Sequence, residues 1–115
     1  RRMIKGKPMA EGKRKQQVFT LLVQLGRKDG DGLPAKATGA GLMCFASGVD
    51  EAEAVRETVA ILKQAGTAPL DVTGYGTRED RLAEGQEIDP GEDELMARAL
   101  AENSVIIAKM DPFYD

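Results

Sequence analysis

Hydrophobic and polar positions follow two kinds of pattern along this chain, and they predict where its strands and helices lie. Apolar side chains at every second position over residues 17–25 indicate a strand. Apolar runs over residues 41–46 and 105–110 and a third extended segment over residues 67–75 indicate three more. Because residues 41–46 are apolar on both alternating sets, we expect them to form a central strand.

Residues 50–66 carry the clearest helix signals. Asp50 stands at the N-cap position with Glu53 three residues later, the spacing of a capping box, and Gly66 can take the left-handed conformation that ends a helix. Apolar residues recur at three- and four-residue spacing along one side. These predicted packing residues are Ala52, Val55, Val59 and Leu62.

A second helix is predicted over residues 89–103, with Asp89 as its cap and Pro90 at its first position. Its expected packing residues are Leu95, Met96, Ala99 and Leu100. Residues 77–84 have capping-box spacing and can form a short helical turn. Residues 86–89 can form either a brief edge strand or a loop.

The predicted order is strand, strand, helix, strand, helix, strand. Two amphipathic helices cover only one face of a four-stranded sheet, so we expect an α+β fold, specifically a two-layer sandwich of ferredoxin-like type. The sheet would be mixed, with two helices on one face and a possible fifth strand at residues 86–89. The predicted domain spans residues 17–115, preceded by a basic arm over residues 1–16.

An uncovered sheet face predicts self-association. If the helices pack on the side of Phe19 and Leu21, the other side exposes Val18, Leu22 and Tyr75. A contiguous apolar patch of that kind is larger than a monomer usually exposes. We therefore expect a homodimer that packs sheet to sheet, with an interface of about 1,600 Å² or more.

Charge is distributed unevenly behind a net value of -3. Residues 1–36 hold ten basic and three acidic side chains, whereas residues 37–115 hold six basic and sixteen acidic ones. The arm could be native, or residues 1–8 could be foreign to the natural protein, since methionines stand at positions 3 and 9. Nucleic-acid binding through the arm, with Arg27, Lys28 and Lys36, is an alternative that the acidic body disfavours.

Composition excludes several kinds of chemistry. Histidine is absent and there is one cysteine, so no Ser-His-Asp or Cys-His catalysis and no zinc site built on imidazole or several thiolates is possible. Cys44 lies in an apolar run and is expected to be a core residue. No metal or cofactor is predicted. The absence of a long apolar span or a secretory signal predicts a cytoplasmic protein with no membrane partner.

The expected ligand site lies at the end of the strand over residues 67–75. Asp71 and Tyr75 share one side of this strand, and Arg78 follows it. Open sheets with helical crossovers tend to bind ligands at this edge. Arg78 and nearby backbone amides could hold a small anion such as a phosphate or carboxylate. The alternative is that the glycines flanking Tyr75 only turn the chain and that Arg78 pairs with Glu79 or Asp80.

Three functions from different classes remain open at this stage. The first is a homodimeric, non-catalytic ligand-binding or regulatory module with its site at Asp71, Tyr75 and Arg78. The second is a cofactor-independent enzyme that uses these residues as acid, base and anion clamp, although no paired carboxylates or activated nucleophile support it. The third is nucleic-acid binding through the arm. The sequence favours the first.

Overall fold

A computed structural model describes residues 15–114 and shows an α+β fold with one four-stranded sheet. The elements are β1 (Gln17–Leu25), β2 (Gly39–Gly48), α1 (Glu51–Gln64), β3 (Pro69–Thr77), α2 (Arg78–Ala83), α3 (Pro90–Glu102) and β4 (Val105–Phe113). Residues 1–14 and 115 lie outside the described part, and with them lies most of the predicted basic arm.

The strand order is β3-β1-β2-β4, and every neighbouring pair is antiparallel. The prediction of a mixed sheet is therefore wrong. β2 and β3 flank the helical crossover and run in the same direction, but β1 lies between them and takes the hydrogen bonds of both. The chain also departs from the β-α-β-β-α-β order of ferredoxin-like proteins, so that arrangement is not confirmed.

The helices lie on opposite faces of the sheet. On one side, which we call the α1 face, Ala54 and Leu62 of α1 belong to clusters with Leu21 and Leu42. On the other, the α3 face, α3 packs onto Phe45 of β2. The prediction of two helices on one face is wrong because β2 is buried on both alternating sets and needs cover on each side.

Helix α1 begins as predicted but packs through a rotated set of residues. The Asp50 carboxylate accepts a hydrogen bond from the Glu53 N–H at 2.8 Å. The buried residues are Ala54, Thr58 and Leu62, whereas Ala52, an expected packing residue, is exposed. Thr58 can be buried because its hydroxyl donates to the Ala54 carbonyl oxygen at 2.8 Å.

The later elements follow local signals closely. Helix α2 carries the predicted capping box, in which the Thr77 hydroxyl accepts from the Asp80 N–H and the Asp80 carboxylate accepts from the Thr77 N–H. Asp89 caps α3, and Asn103 ends it in the left-handed conformation at φ 49°. Residues 86–89 form a link into α3 and contain no strand, so the possible fifth strand is absent from the described residues.

Candidate functional site

A groove on the α3 face of the sheet is the strongest candidate site. We call it the sheet groove; its volume is about 530 Å³, within the range of small-molecule sites. Leu22 of β1 and Met43 of β2 contribute apolar side chains, and Phe113 of β4 contributes an aromatic one. Leu22 is 37% exposed and Phe113 is 42% exposed, so apolar surface remains open to solvent here.

Strand register assembles the groove from all four strands. On β1, Leu22 lies opposite Met43 of β2 and Thr73 of β3. On β4, Lys109 lies opposite Met43 in turn. Directly paired residues of antiparallel strands project to the same face, so these side chains form one row across the sheet.

A second row of cross-strand partners supplies polar groups. Gln24 of β1 lies opposite Asp71 of β3 and Gly41 of β2, and Gly41 lies opposite Asp111 of β4. A Cβ atom on Gly41 would stand 3.1 Å from the Phe113 ring, so the missing side chain lets that ring lie close to the strand.

The charges that line the groove are two carboxylates, Asp71 and Asp111, and one ammonium group, Lys109. Their sum is negative. Combined with the apolar side chains of Leu22 and Met43, this lining suits a ligand with an apolar body and a positively charged or hydrogen-bond-donating group.

The three residues predicted as the ligand site do not line a common cavity among those described. Asp71 lines the sheet groove, and Tyr75 lines a separate cavity of about 400 Å³ beside α2. Arg78 lines a third, a cleft of about 680 Å³ between α2, α3 and the start of β1. The predicted site residues are therefore spread over one edge of the sheet and its flanking helix.

Arg78 is held by a partner on another helix. Its Nε donates to Asp93 Oδ1 at 2.6 Å and its Nη2 donates to Asp93 Oδ2 at 3.3 Å. These contacts raise the pKa of Arg78 and lower the pKa of Asp93. The alternative from the sequence was that Glu79 or Asp80 is the acid that pairs with Arg78. The ion pair forms with Asp93 instead, and Asp80 caps α2. Asp93 comes from the first turn of α3, which the tertiary structure brings alongside.

Arg81 is a buried charged residue that sequence reasoning missed. It is 5% exposed and donates to Thr20 Oγ1 at 3.1 Å, to Glu92 Oε1 at 3.1 Å and to Gln86 Oε1 at 2.8 Å. One guanidinium thereby links α2 to β1, to α3 and to the connection between the two helices. No signal in the sequence separates it from Arg78 three residues earlier.

Residues 18–114 match a protein family described as "Domain of unknown function (DUF8846)". The chain belongs to this family. Searches of curated proteins and of solved structures found no match. The DUF8846 match begins at the second residue of β1 and ends one residue after β4, so it contains the whole sheet except Gln17, the three helices and the sheet groove.

Within residues 15–114, no three carboxylate or thiol side chains cluster as metal ligands, and no helix is long and apolar enough to cross a membrane. Cys44 is fully buried, and desolvation raises the pKa of its thiol to about 11. Its side chain is therefore mostly the protonated thiol at neutral pH.

Proposed function

We propose that this chain is a non-catalytic ligand-binding module and that the sheet groove is its site. The observation that carries the proposal is an open, partly apolar groove with a polar rim on the α3 face, with a volume typical of small-molecule sites. The expected ligand has an apolar body that lies on Leu22 and Met43. Its positively charged group lies near Asp71.

The position and charge of the ligand follow from which side chains are already engaged. The anion expected from the sequence had Arg78 as its anchor, and that guanidinium pairs with Asp93. Asp71 is the predicted site residue that lines the groove, and it favours a cation instead. We therefore move the proposed site from the strand end at Tyr75 to the groove.

The two alternative functions gain less support. An enzyme built on Asp71, Tyr75 and Arg78 needs these groups to converge on one substrate, and they line three different cavities. Nucleic-acid binding is the alternative expected through the arm, most of which lies outside the described residues, together with Arg27, Lys28 and Lys36 of the loop after β1. Arg27 ties that loop together by donating to the Asp31 carboxylate and to the carbonyl oxygens of Pro34 and Ala37.

A matched pair of probes tests both the site and the preference for positive charge. We would titrate the protein with naphthylmethylamine, which is cationic, and with naphthaleneacetate, which is anionic, and follow backbone amide resonances by NMR. We expect both to shift resonances of Leu22, Met43 and Thr73. Two carboxylates against one ammonium predict about threefold tighter binding of the cation.

Variants separate the groove from the rest of the surface. Asp71→Asn should remove most of the preference for the cation, whereas Glu57→Gln on α1, which lies on the opposite face, should leave it unchanged. Thr73→Trp should fill the groove and abolish both titrations. The proposal is overturned if neither probe shifts groove resonances in the wild type, or if the anion binds more tightly.

A further inference from the structure

Strand β4 forms one edge of the sheet, and among residues 15–114 no other strand pairs with its outer side. Two apolar side chains of this strand are half exposed, Ile107 at 50% and Met110 at 51%. An edge strand that combines free backbone groups with exposed apolar side chains is a template for pairing with another strand.

The backbone at Met110 faces the free side. The Phe113 carbonyl oxygen accepts from the Thr38 N–H at 2.8 Å, so Phe113 directs its backbone groups toward β2. Direction alternates along an antiparallel strand, and the pairing with β2 is unbroken over residues 109–113. Met110 therefore directs its N–H and C=O outward. Pro112 does so as well, and its missing N–H is tolerated at an edge.

The opposite edge is less suited to pairing. β3 shows two register shifts against β1 and contains Gly76 at φ 83°. It also runs directly into α2, whose first residue follows the last residue of the strand. Both edge strands have nine residues, but β4 has a single register shift against β2 and stays in regular register over residues 109–113, so it offers the more regular edge.

Charge selects one register for pairing β4 with a second β4. A two-fold axis at Lys109 would set two lysines opposite each other, and an axis at Asp111 would set two aspartates opposite each other. An axis at Met110 sets Lys109 of each chain opposite the partner's Asp111, so opposite charges meet twice. We propose that two copies of this chain join through β4 in antiparallel register about Met110. The two four-stranded sheets then form one continuous sheet of eight strands.

This edge dimer also changes the sheet groove, and that part of the inference rests on the proposed function. Lys109 and Asp111 both line the groove on the β4 side. In the dimer each is balanced by its opposite on the partner, which leaves Asp71 as the uncompensated charge of each groove. The positive group of a ligand would then be drawn to Asp71, and the two grooves would lie side by side on one extended sheet.

Charge reversal tests the interface in solution. We would measure the dimer dissociation constant by sedimentation velocity and native mass spectrometry over a series of micromolar concentrations. Lys109→Asp alone and Asp111→Lys alone each place like charges opposite each other and should weaken the dimer about tenfold. The double variant restores opposite charges with exchanged signs and should recover the wild-type constant. Lys36→Asp, an exposed change in the loop after β1, is the control and should have no effect.

Met110→Glu separates failure of the interface from failure of the groove. Its side chain belongs to the α1 face, away from the groove, so the variant should be monomeric and should still bind naphthylmethylamine. A monomeric wild type, or a dimer that none of these substitutions weakens, overturns the interface. In either case, binding of naphthylmethylamine to the wild-type protein would leave the groove proposal standing. A wild-type dimer that the substitutions weaken as expected but that does not bind the probe would overturn the groove proposal alone.

Discussion

Arg81 shows how much of this structure depends on a single buried charge. Its guanidinium donates to Glu92, Thr20 and Gln86, and the Arg81 and Glu92 side chains are 6% and 21% exposed. Arg81→Ala would leave a carboxylate and two polar oxygens without their donor. We expect it to lower the free energy of unfolding by about 3 kcal/mol, measured by urea denaturation.

Arg78 supplies a control for this prediction on the same short helix. It also pairs with an acid of α3, Asp93, but the two side chains are 46% and 39% exposed, so water can replace the lost contact. Arg78→Ala should therefore destabilise the protein far less than Arg81→Ala. Equal effects of the two substitutions would show that burial does not determine the strength of these pairs.

The same comparison shows why the site residues were hard to predict. Arg78 and Arg81 look equivalent in the sequence, and both lie near acidic residues of the following segment. Which arginine turns inward depends on how α2 docks against Thr20 and α3, and neither contact is local in sequence. Strand alternation placed Asp71 on the same side of β3 as Tyr75, and only the register across the four strands brings Asp71 into the sheet groove.

At the scale of elements, the start of α2 depends on the close approach of Gly76 to Asp80, the residue that completes the capping box with Thr77. Gly76 has φ 83°, and a Cβ atom there would stand 2.6 Å from Asp80 Oδ2, the oxygen that accepts from the Thr77 N–H. Gly85, after the other end of the helix, has the same φ with nothing within 4 Å.

These two glycines form a matched pair of substitutions. Gly85→Ala carries the strain of a left-handed alanine, about 1 kcal/mol. Gly76→Ala carries the same strain and also displaces the Asp80 carboxylate from the capping box. We therefore expect it to lower the free energy of unfolding by about 1 kcal/mol more than Gly85→Ala, measured by thermal or urea unfolding. If both alanines have the same effect, the capping box contributes nothing to stability.

The starts and ends of the long helices were predictable because caps are local. Asp50 and Asp89 each accept from an N–H three residues later, and that spacing is visible in the sequence. The side through which α1 packs was not predictable in the same way. Helical periodicity favoured Ala52, yet docking turned Ala54 and Thr58 inward, and Thr58 satisfies its own hydroxyl within the helix.

At the scale of the molecule, the sheet separates two cores. Val23 and Leu62 belong to a cluster on the α1 face, and Met96 belongs to a cluster on the α3 face. Val23→Ala and Met96→Ala should each lower the free energy of unfolding by about 2 kcal/mol. Because the sheet lies between the two residues, the double variant should lose the sum of the two single losses in free energy of unfolding, to within about 0.5 kcal/mol.

A pair on the same face provides the comparison. Val23→Ala combined with Leu62→Ala removes two members of one cluster, so neighbouring side chains can relax into the shared space. We expect the loss in free energy of unfolding of this double variant to differ from the sum of the two single losses, because substitutions within one cluster affect each other. Additivity within the α1 face, or coupling across the sheet, would contradict the division into two cores.

Local physical chemistry determines where the strands, helices and caps of this chain lie. Alternating apolar positions, apolar runs and capping residues involve positions only a few residues apart, so they can be recognised from the sequence. The apolar run of β2 even indicates that both of its faces need cover. It does not indicate what supplies that cover, and the predicted single helical layer was wrong for this reason.

Docking of distant segments determines the rest. The placement of α3 opposite α1, the burial of Arg81 and the pairing of Arg78 with Asp93 all depend on contacts between residues far apart in the chain. The sheet groove likewise exists because four strands bring Leu22, Met43, Asp71 and Asp111 onto one face in register. Such contacts carry no short-range pattern, since their energy comes from packing and charge pairing between separate elements.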